Sequence, residues 1–473
     1  MRTLVWFRGK DLRISDHEPL RSAISQGECI PVFVIDPYFF SPKRAQELPH
    51  RMQFLLEGLE ALAKNIEHKG SKLICVSGKS TEVIPKLAKK FEVDRVVAHR
   101  WVEPFGQKRD QIITDTMGVP FELFEGETLH PPGRLRTGKG TPFGVFTPFS
   151  KKFRSTVKIQ DCAGAPKTIP ALPPLPAVEE VQIPTLDSLG IETNPNIQMG
   201  GEKAAKKRLK HYLEQAASNY HEDRDRMDRP GTSRLSADIK FGTLSIRTIW
   251  NAIEKNLPDG DAKYVYSNEL LWREFSHSTL WDRPEILKEP FKPKFKDFPW
   301  TFNEEFWNAW TEGKTGYPVI DASARQLIQE GFVHNRARMI SASFLTKHLM
   351  IHYKHGEAHY MRYLTDGDWA QNIAGWQWSA GCGCDAQPYF RVFNPMLQGK
   401  KFDPNGDYVR KYLPELARVP TKYIHAPWEA PAHVLEEAQT VLGREYPKPI
   451  VDHAAARKHF LALAKSFLKP AEK

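Results

Sequence analysis

Short β-branched runs recur through residues 1–130: TLVWF, CIPVFVID, KLICVSG, VDRVVAHR and VPFELFEG. Between them lie helical stretches such as RMQFLLEGLEALAKNIEHKG. Strand-like runs alternating with helical ones predict right-handed β-α-β units around a parallel, doubly wound sheet, so residues 1–130 read as an α/β domain. After about Thr128 the pattern dissolves into HPPGRLRTGKG and KTIPALPPLPAVEE, whose Pro and Gly predict a connection running over the surface across residues 131–201. From residue 202 the period turns helical. EKAAKKRLKHYLEQAAS, ARQLIQEGFVHNRARMISASFLTKHLMIHY and HVLEEAQTVLG place apolar residues three and four apart, with no strand-like run in competition, so residues 202–473 read as an all-α domain. No internal repeat interrupts this order.

Composition adds a partner class. The chain of 473 residues is long enough for two or three domains that each bury a core. Lys and Arg exceed Asp and Glu by ten, which makes a polyanion such as nucleic acid a partner to weigh, although solvated surface lysines give the same sum. The opening MRTLVWFRGKDLR has no basic-then-apolar leader and no apolar run reaches membrane length, so a soluble cytoplasmic protein with no membrane partner is expected. Five cysteines are an odd number in a large chain and predict free thiols rather than a disulfide framework.

Three constellations could carry chemistry. No GxGxxG follows the first strand, where the turn is FRGKDLR, so the α/β half lacks the usual dinucleotide fingerprint. His348 and His352 stand four apart, but HLMIH lacks the glutamate of a metalloprotease helix, and paired surface or core histidines are expected instead. Cys382 and Cys384 flank a single glycine with no second ligand pair, which leaves a zinc site half built; no metal is expected. The third constellation is the aromatic, polar run GDWAQNIAGWQWSAGCGCDAQPYF together with segments upstream of it.

Taken in order, Tyr220, GTSRLS, NELLWREF, EGKTGYPVIDA, HNRARMISASFLTK, DGDWAQN, GWQW and FNPMLQGKKFDPNGDYVRKYLPEL resemble the photolyase/cryptochrome family over nearly all of residues 220–449. The opening VWFRGKDLRISDHEPL adds the α/β half to the likeness, and the closest resemblance is to the class I branch that repairs cyclobutane pyrimidine dimers. The resemblance implies a helical domain around a bent FAD. Tyr220, Thr232, Ser233, Arg234, Leu235 and Ser236 would line it, with Arg338 paired to Asp366 beside the isoalloxazine ring and Gly367 and Asp368 near a polar edge. Asn372 would face flavin N5, where a neutral carboxamide accepts the N5–H of a reduced flavin without adding charge.

The same resemblance implies light-driven repair, in which excited reduced FAD lends one electron to a flipped-out dimer and recovers it when the ring opens. Glu269 would donate to a dimer carbonyl, and Asn335 and Met339 would complete the dimer pocket; relatives acting on the (6-4) photoproduct carry histidines at both places. Trp272 and Trp378 match stacking walls, while Arg224, Arg273, Arg336, Arg391 and Gln398 match contacts to the DNA backbone. Damaged DNA is therefore the expected partner of a monomeric enzyme.

Several positions depart from the pattern. Trp300 and Trp376 match the outer and inner members of an electron relay to the flavin, but the middle one is Tyr353, which must lose a proton when oxidised; Trp369 offers a detour. FRGKDLRISDH has one residue more than the common WFRxDLRxxDN pattern and His17 in place of Asn. Gly106 stands where folate-binding relatives carry glutamate, which favours a deazaflavin over folate as the second, antenna chromophore. The rival reading is a cryptochrome-type blue-light receptor with FAD. Such receptors typically have an altered dimer pocket and often a long extension, whereas this sequence stops soon after YPKPIVDH, so repair is the expectation.

Overall fold

The computed structural model describes residues 1–468. Its only sheet among those residues has five parallel strands, β1 (Arg2–Phe7), β2 (Glu28–Ile35), β3 (Ile74–Ser77), β4 (Arg95–His99) and β5 (Phe121–Phe124), in the order β3-β2-β1-β4-β5. The order reverses at β1, which pairs Val5 with Pro31 on one side and with Val97 on the other. Period two divides each strand between the two faces. Val5, Phe7, Phe33 and Val97 enter a core with Leu12, Leu20, Phe54 and Leu59, while Leu4, Trp6, Val32 and Val96 enter another with Ile84, Leu87 and Phe91. Each such side chain contributes about 1.5–3 kcal/mol of burial, so a one-residue slip in register is strongly disfavoured.

The chain divides into two compact units: residues 1–218, 233–284 and 365–370 form the first, and residues 219–232, 285–364 and those from 371 on form the second. In the first unit, His17 does the capping work of the usual asparagine. Its Nδ1 accepts from the Leu20 N–H at the start of helix Glu18–Gln26, and its Nε2 lies 3.3 Å from Asp11. The stretch expected to be pure connection contains a helix, Phe146–Thr156, whose Phe146, Phe149 and Phe153 are buried. Flanking Pro and Gly hid it, and Pro148 falls in its first turn, where a proline is tolerated.

In the second unit, the long helical run separates into helices Pro318–Glu330, Asn335–Lys347 and Tyr353–Tyr363. Gly331, at φ +58°, ends the first, and the Nδ1 of His334 accepts from the Arg336 N–H to start the second. Met350 at φ +57° and the cap from His352 to the Lys354 N–H make the next break. Local capping thus overrides a continuous period. His348 and His352 fall on opposite sides of that break and share no helix face; the Nε2 of His348 meets the Nδ1 of His453 at 2.8 Å instead.

Candidate functional site

The GTSRLS segment leads into the short helix Ser236–Phe241. Leu235 occupies the cap position with no side-chain cap bond, so the hydroxyls of this segment are not spent on starting the helix. Ser233 Oγ accepts from the Tyr266 hydroxyl at 2.9 Å, and the Arg234 carbonyl accepts from Gln198 Nε2 at 3.0 Å. Arg234 adopts a left-handed conformation at φ +50° and is followed by Leu235 at φ −88°, ψ 3°. Such an alternation turns successive N–H groups toward one side and forms a concavity suited to a pyrophosphate.

Also in the first unit, Asp368 meets a buried group of charges. Its Oδ2 lies 3.7 Å from His277 Nε2, 3.8 Å from Lys240 Nζ and 4.0 Å from Lys10 Nζ. Lys10 also bonds to Glu127 and, at 2.8 Å, to Glu103. These cations hold Asp368 and Glu127 well below the usual carboxylate range against the desolvation that opposes it. The sequence reading missed this cluster, whose members come from residues 10 to 368. Glu127, His277 and Asp368 approach metal-ligand spacing, but a lysine ammonium sits among them; Asp11, His17 and His99 approach it too, with the Asp11 carboxylate taken up by both rings.

Helix Asp261–Asp282 carries Glu269, Trp272 and Arg273. Trp272 stacks face to face on Phe146, centroids 3.8 Å apart and planes 8° from parallel, which fixes the ring while leaving it half-buried. Glu269 stands one turn before Arg273 and is half-buried. Arg273 departs from the expected phosphate role. Its guanidinium turns inward, Nη1 donating to the Glu127 carbonyl at 2.7 Å and lying 3.7 Å from Glu274.

Helix Trp369–Ala380, in the second unit from Gln371 on, carries Asn372, Trp376 and Trp378. Asn372 Nδ2 donates to the carbonyl of Glu357 at 3.0 Å and to its Oε1 at 3.4 Å. The donors are thereby committed and Oδ1, the acceptor, is left on the opposite side of the amide. Trp376 is buried, with Tyr360 at 5.1 Å and Trp310 at 6.1 Å between centroids, and Trp307 follows Trp310 at 5.6 Å. Trp378 is half-buried. Trp300 reaches Tyr353 through His352, at 5.8 and then 4.5 Å. Tyr353 is buried, its phenol pKa is pushed far up by that burial, and its hydroxyl accepts from Gln377 Nε2 at 3.5 Å.

Asn335 and Met339 stand one turn apart on helix Asn335–Lys347, with Asn335 Nδ2 directed at the Met339 sulfur at 3.8 Å. Arg336 on the same helix is held by Asp225 at 2.6 Å and lies over the Phe402 ring, so its charge is partly matched already. Arg338 Nε donates to the Val333 carbonyl at 2.7 Å. Arg224 lies over the buried Tyr220 ring at 5.8 Å, Thr232 and Gln398 are half-buried, and Arg391 is exposed. Cys382 is buried with its thiol pushed up to about 12 by desolvation, and Cys384 is half-buried; all five cysteines are free thiols.

A family model described as DNA photolyase matches residues 3–176, and one described as the FAD binding domain of DNA photolyase matches residues 266–466. A parallel α/β sheet combined with a helical FAD-binding half defines a two-part flavoprotein. A deoxyribodipyrimidine photo-lyase of Agrobacterium fabrum is 38% identical over 97% of this chain and 96% of its own. Among solved structures, a bacterial class III photolyase from Agrobacterium tumefaciens matches at a TM-score of 0.91 and 36% identity, covering 99% of this chain and 98% of that one. A cryptochrome of Synechocystis matches at 0.90 and 30%, covering 98% and 99%. The chain belongs to the photolyase/cryptochrome family.

Proposed function

We propose that this protein acts as a deoxyribodipyrimidine photo-lyase that splits cyclobutane pyrimidine dimers in DNA under light. The observation that carries the reading is Asn372, whose amide is locked by Glu357 with its acceptor oxygen turned away. A neutral acceptor at that place suits a fully reduced flavin, whereas an acid there belongs to plant-type receptors. FAD, when bound, supplies the photoexcited electron donor. The chain supplies the rest.

Trp272, braced by Phe146, and Trp378 offer faces on which a flipped-out dimer stacks, at roughly 1–3 kcal/mol per base, against a few kcal/mol for extruding it. Glu269 donates a hydrogen bond to a dimer carbonyl where negative charge develops. Asn335 and Met339 shape the pocket for a cyclobutane dimer. Arg224, Arg336 and Arg391, with Gln398, bind DNA phosphates without reading sequence. Ser233 to Ser236, Tyr220, Thr232, Arg338 and Asp366 to Asp368 hold the cofactor.

For the antenna we favour a deazaflavin over folate. A Cβ at Gly106 would lie 2.6 Å from the Cβ of Trp101, so the glutamate of folate-binding relatives does not fit there. Light-dependent loss of dimers from DNA treated with the FAD-loaded protein tests the function. A protein that binds FAD yet leaves dimers intact would contradict repair and favour the receptor reading.

A further inference from the structure

The β1 turn, one residue longer than the family pattern, carries a lysine that is buried against the segments assigned above to the cofactor. In FRGKDLR, the side chain of Lys10 is only 6% exposed, and its ammonium meets Glu103 at 2.8 Å, Glu127 more closely still, and Asp368 at 4.0 Å. Lys240 reaches Glu103 and Asp368 at 3.4 and 3.8 Å, and His277 reaches Glu127 and Asp368 at 3.5 and 3.7 Å. Lys10 thus lies within 4 Å of all three buried carboxylates, Lys240 and the His277 imidazole each lie within 4 Å of two, and Arg51 and Arg273 add positive charge around them. The ring neighbour of Lys10 is Trp101, 5.1 Å from Nζ.

The backbone of the same turn seals against the other cofactor segment. Leu12 N–H donates to the Phe241 carbonyl at 3.1 Å, and Arg13 Nη1 donates to the Gly242 carbonyl at 3.0 Å. Gly242, at φ +61°, ends the helix that begins at Ser236, and a Cβ there would stand 1.9 Å from the Lys10 carbonyl oxygen. Close approach at this point requires glycine.

We propose that Lys10 is a positioning residue for the flavin: its ammonium is a built-in cation that fixes the Asp366–Asp368 segment, while Leu12 and Arg13 of the same turn bond the Phe241 and Gly242 carbonyls at the end of the Ser233–Phe241 segment. The proposal rests on the reading that both segments line FAD. It goes beyond that reading in assigning the electrostatic setting of the cofactor to a residue of the α/β half. Removing the ammonium takes one positive charge from around Asp368, and the shift toward negative potential disfavours adding electrons to the flavin.

The test uses the full chain with Lys10→Met, Lys10→Arg, Asp368→Asn and the Lys10→Met/Asp368→Asn double variant. Two readouts are taken: thermal unfolding of the flavin-free proteins and the midpoint potential of bound FAD. Lys10→Met is expected to lower the reduced-to-oxidised ratio at a fixed poise about tenfold, about 30 mV for a two-electron couple. Lys10→Arg keeps the wild-type potential, and Asp368→Asn restores it in the Lys10→Met background. The flavin-free proteins show the same non-additive pattern in Tm. Wild-type protein that binds no FAD would overturn the flavin reading and the proposal with it. FAD-loaded Lys10→Met with an unchanged potential, or effects of Lys10→Met and Asp368→Asn that simply add, would overturn the role of Lys10 alone.

Discussion

Asn372 gives both hydrogens of its amide to one residue, donating to the carbonyl and to the Oε1 of Glu357 at 3.0 and 3.4 Å. Substituting Asn372→Asp replaces these donors by acceptors and sets a carboxylate against the Glu357 oxygens, a buried mismatch that costs about 1–3 kcal/mol. The flavin-free variant is expected to unfold at a lower temperature. Loaded with FAD, it is expected to accumulate less fully reduced flavin under light with a thiol donor, which absorbance records directly.

Tyr353 has to release a proton to pass an electron, and burial opposes that release more strongly than the hydrogen bond donated to its oxygen by Gln377 Nε2 favours it. Tyr353→Trp is expected to photoreduce bound FAD faster than wild type, with repair by pre-reduced protein unchanged. Transient absorption separates the two. Equal photoreduction rates in wild type, Tyr353→Trp and Tyr353→Phe would remove this position from the route.

The arginines divide by where their guanidinium groups go. Arg391 is exposed, so Arg391→Ala is expected to weaken dimer-DNA binding and to reduce the slope of log K against log salt by about 0.9. Arg273 is spent on the Glu127 carbonyl, so Arg273→Ala is expected to leave the slope unchanged and to destabilise the fold by about 1–3 kcal/mol. Binding titrations at several salt concentrations and unfolding curves distinguish them.

Lys347 is fully buried, donates to the Arg391 carbonyl at 2.9 Å, and has its pKa lowered by desolvation to about 7. Between pH 7 and the ordinary lysine value the unfolded chain binds more protons than the folded one, so stability rises with pH across that window, at about 1.4 kcal/mol per unit. Lys347→Met removes this term, against about 1 kcal/mol for the lost hydrogen bond. Its Tm is expected to exceed that of wild type at pH 6–7 and to lose the advantage toward pH 10.

How much of this was legible in the sequence follows from range. The strands and their parallel, doubly wound arrangement were, because period two, β-branched runs and the helices between them are local signals; that the order reverses at β1 is a matter of tertiary packing. Helix Phe146–Thr156 was hidden by its Pro and Gly neighbours, and the breaks at Gly331 and Met350 were hidden by a helical period that runs through them. Of the site, the aromatic and amide residues stood out as a pattern. The Lys10, Glu103, Glu127, Lys240, His277 and Asp368 cluster did not, since each member alone reads as a solvated charge and only folding brings them within 4 Å. Arg273 reads as a surface cation for the same reason until its partners are seen.

The most direct test of repair is to reduce the FAD-loaded protein, mix it in the dark with DNA carrying a cyclobutane thymine dimer, and count intact dimers before and after blue light. Dimers are expected to persist in the dark and to disappear on illumination, with flavin absorbance unchanged at the end of the cycle and with Glu269→Ala slower than wild type. Reduced, FAD-loaded protein that binds the dimer DNA and leaves every dimer intact under light would contradict repair.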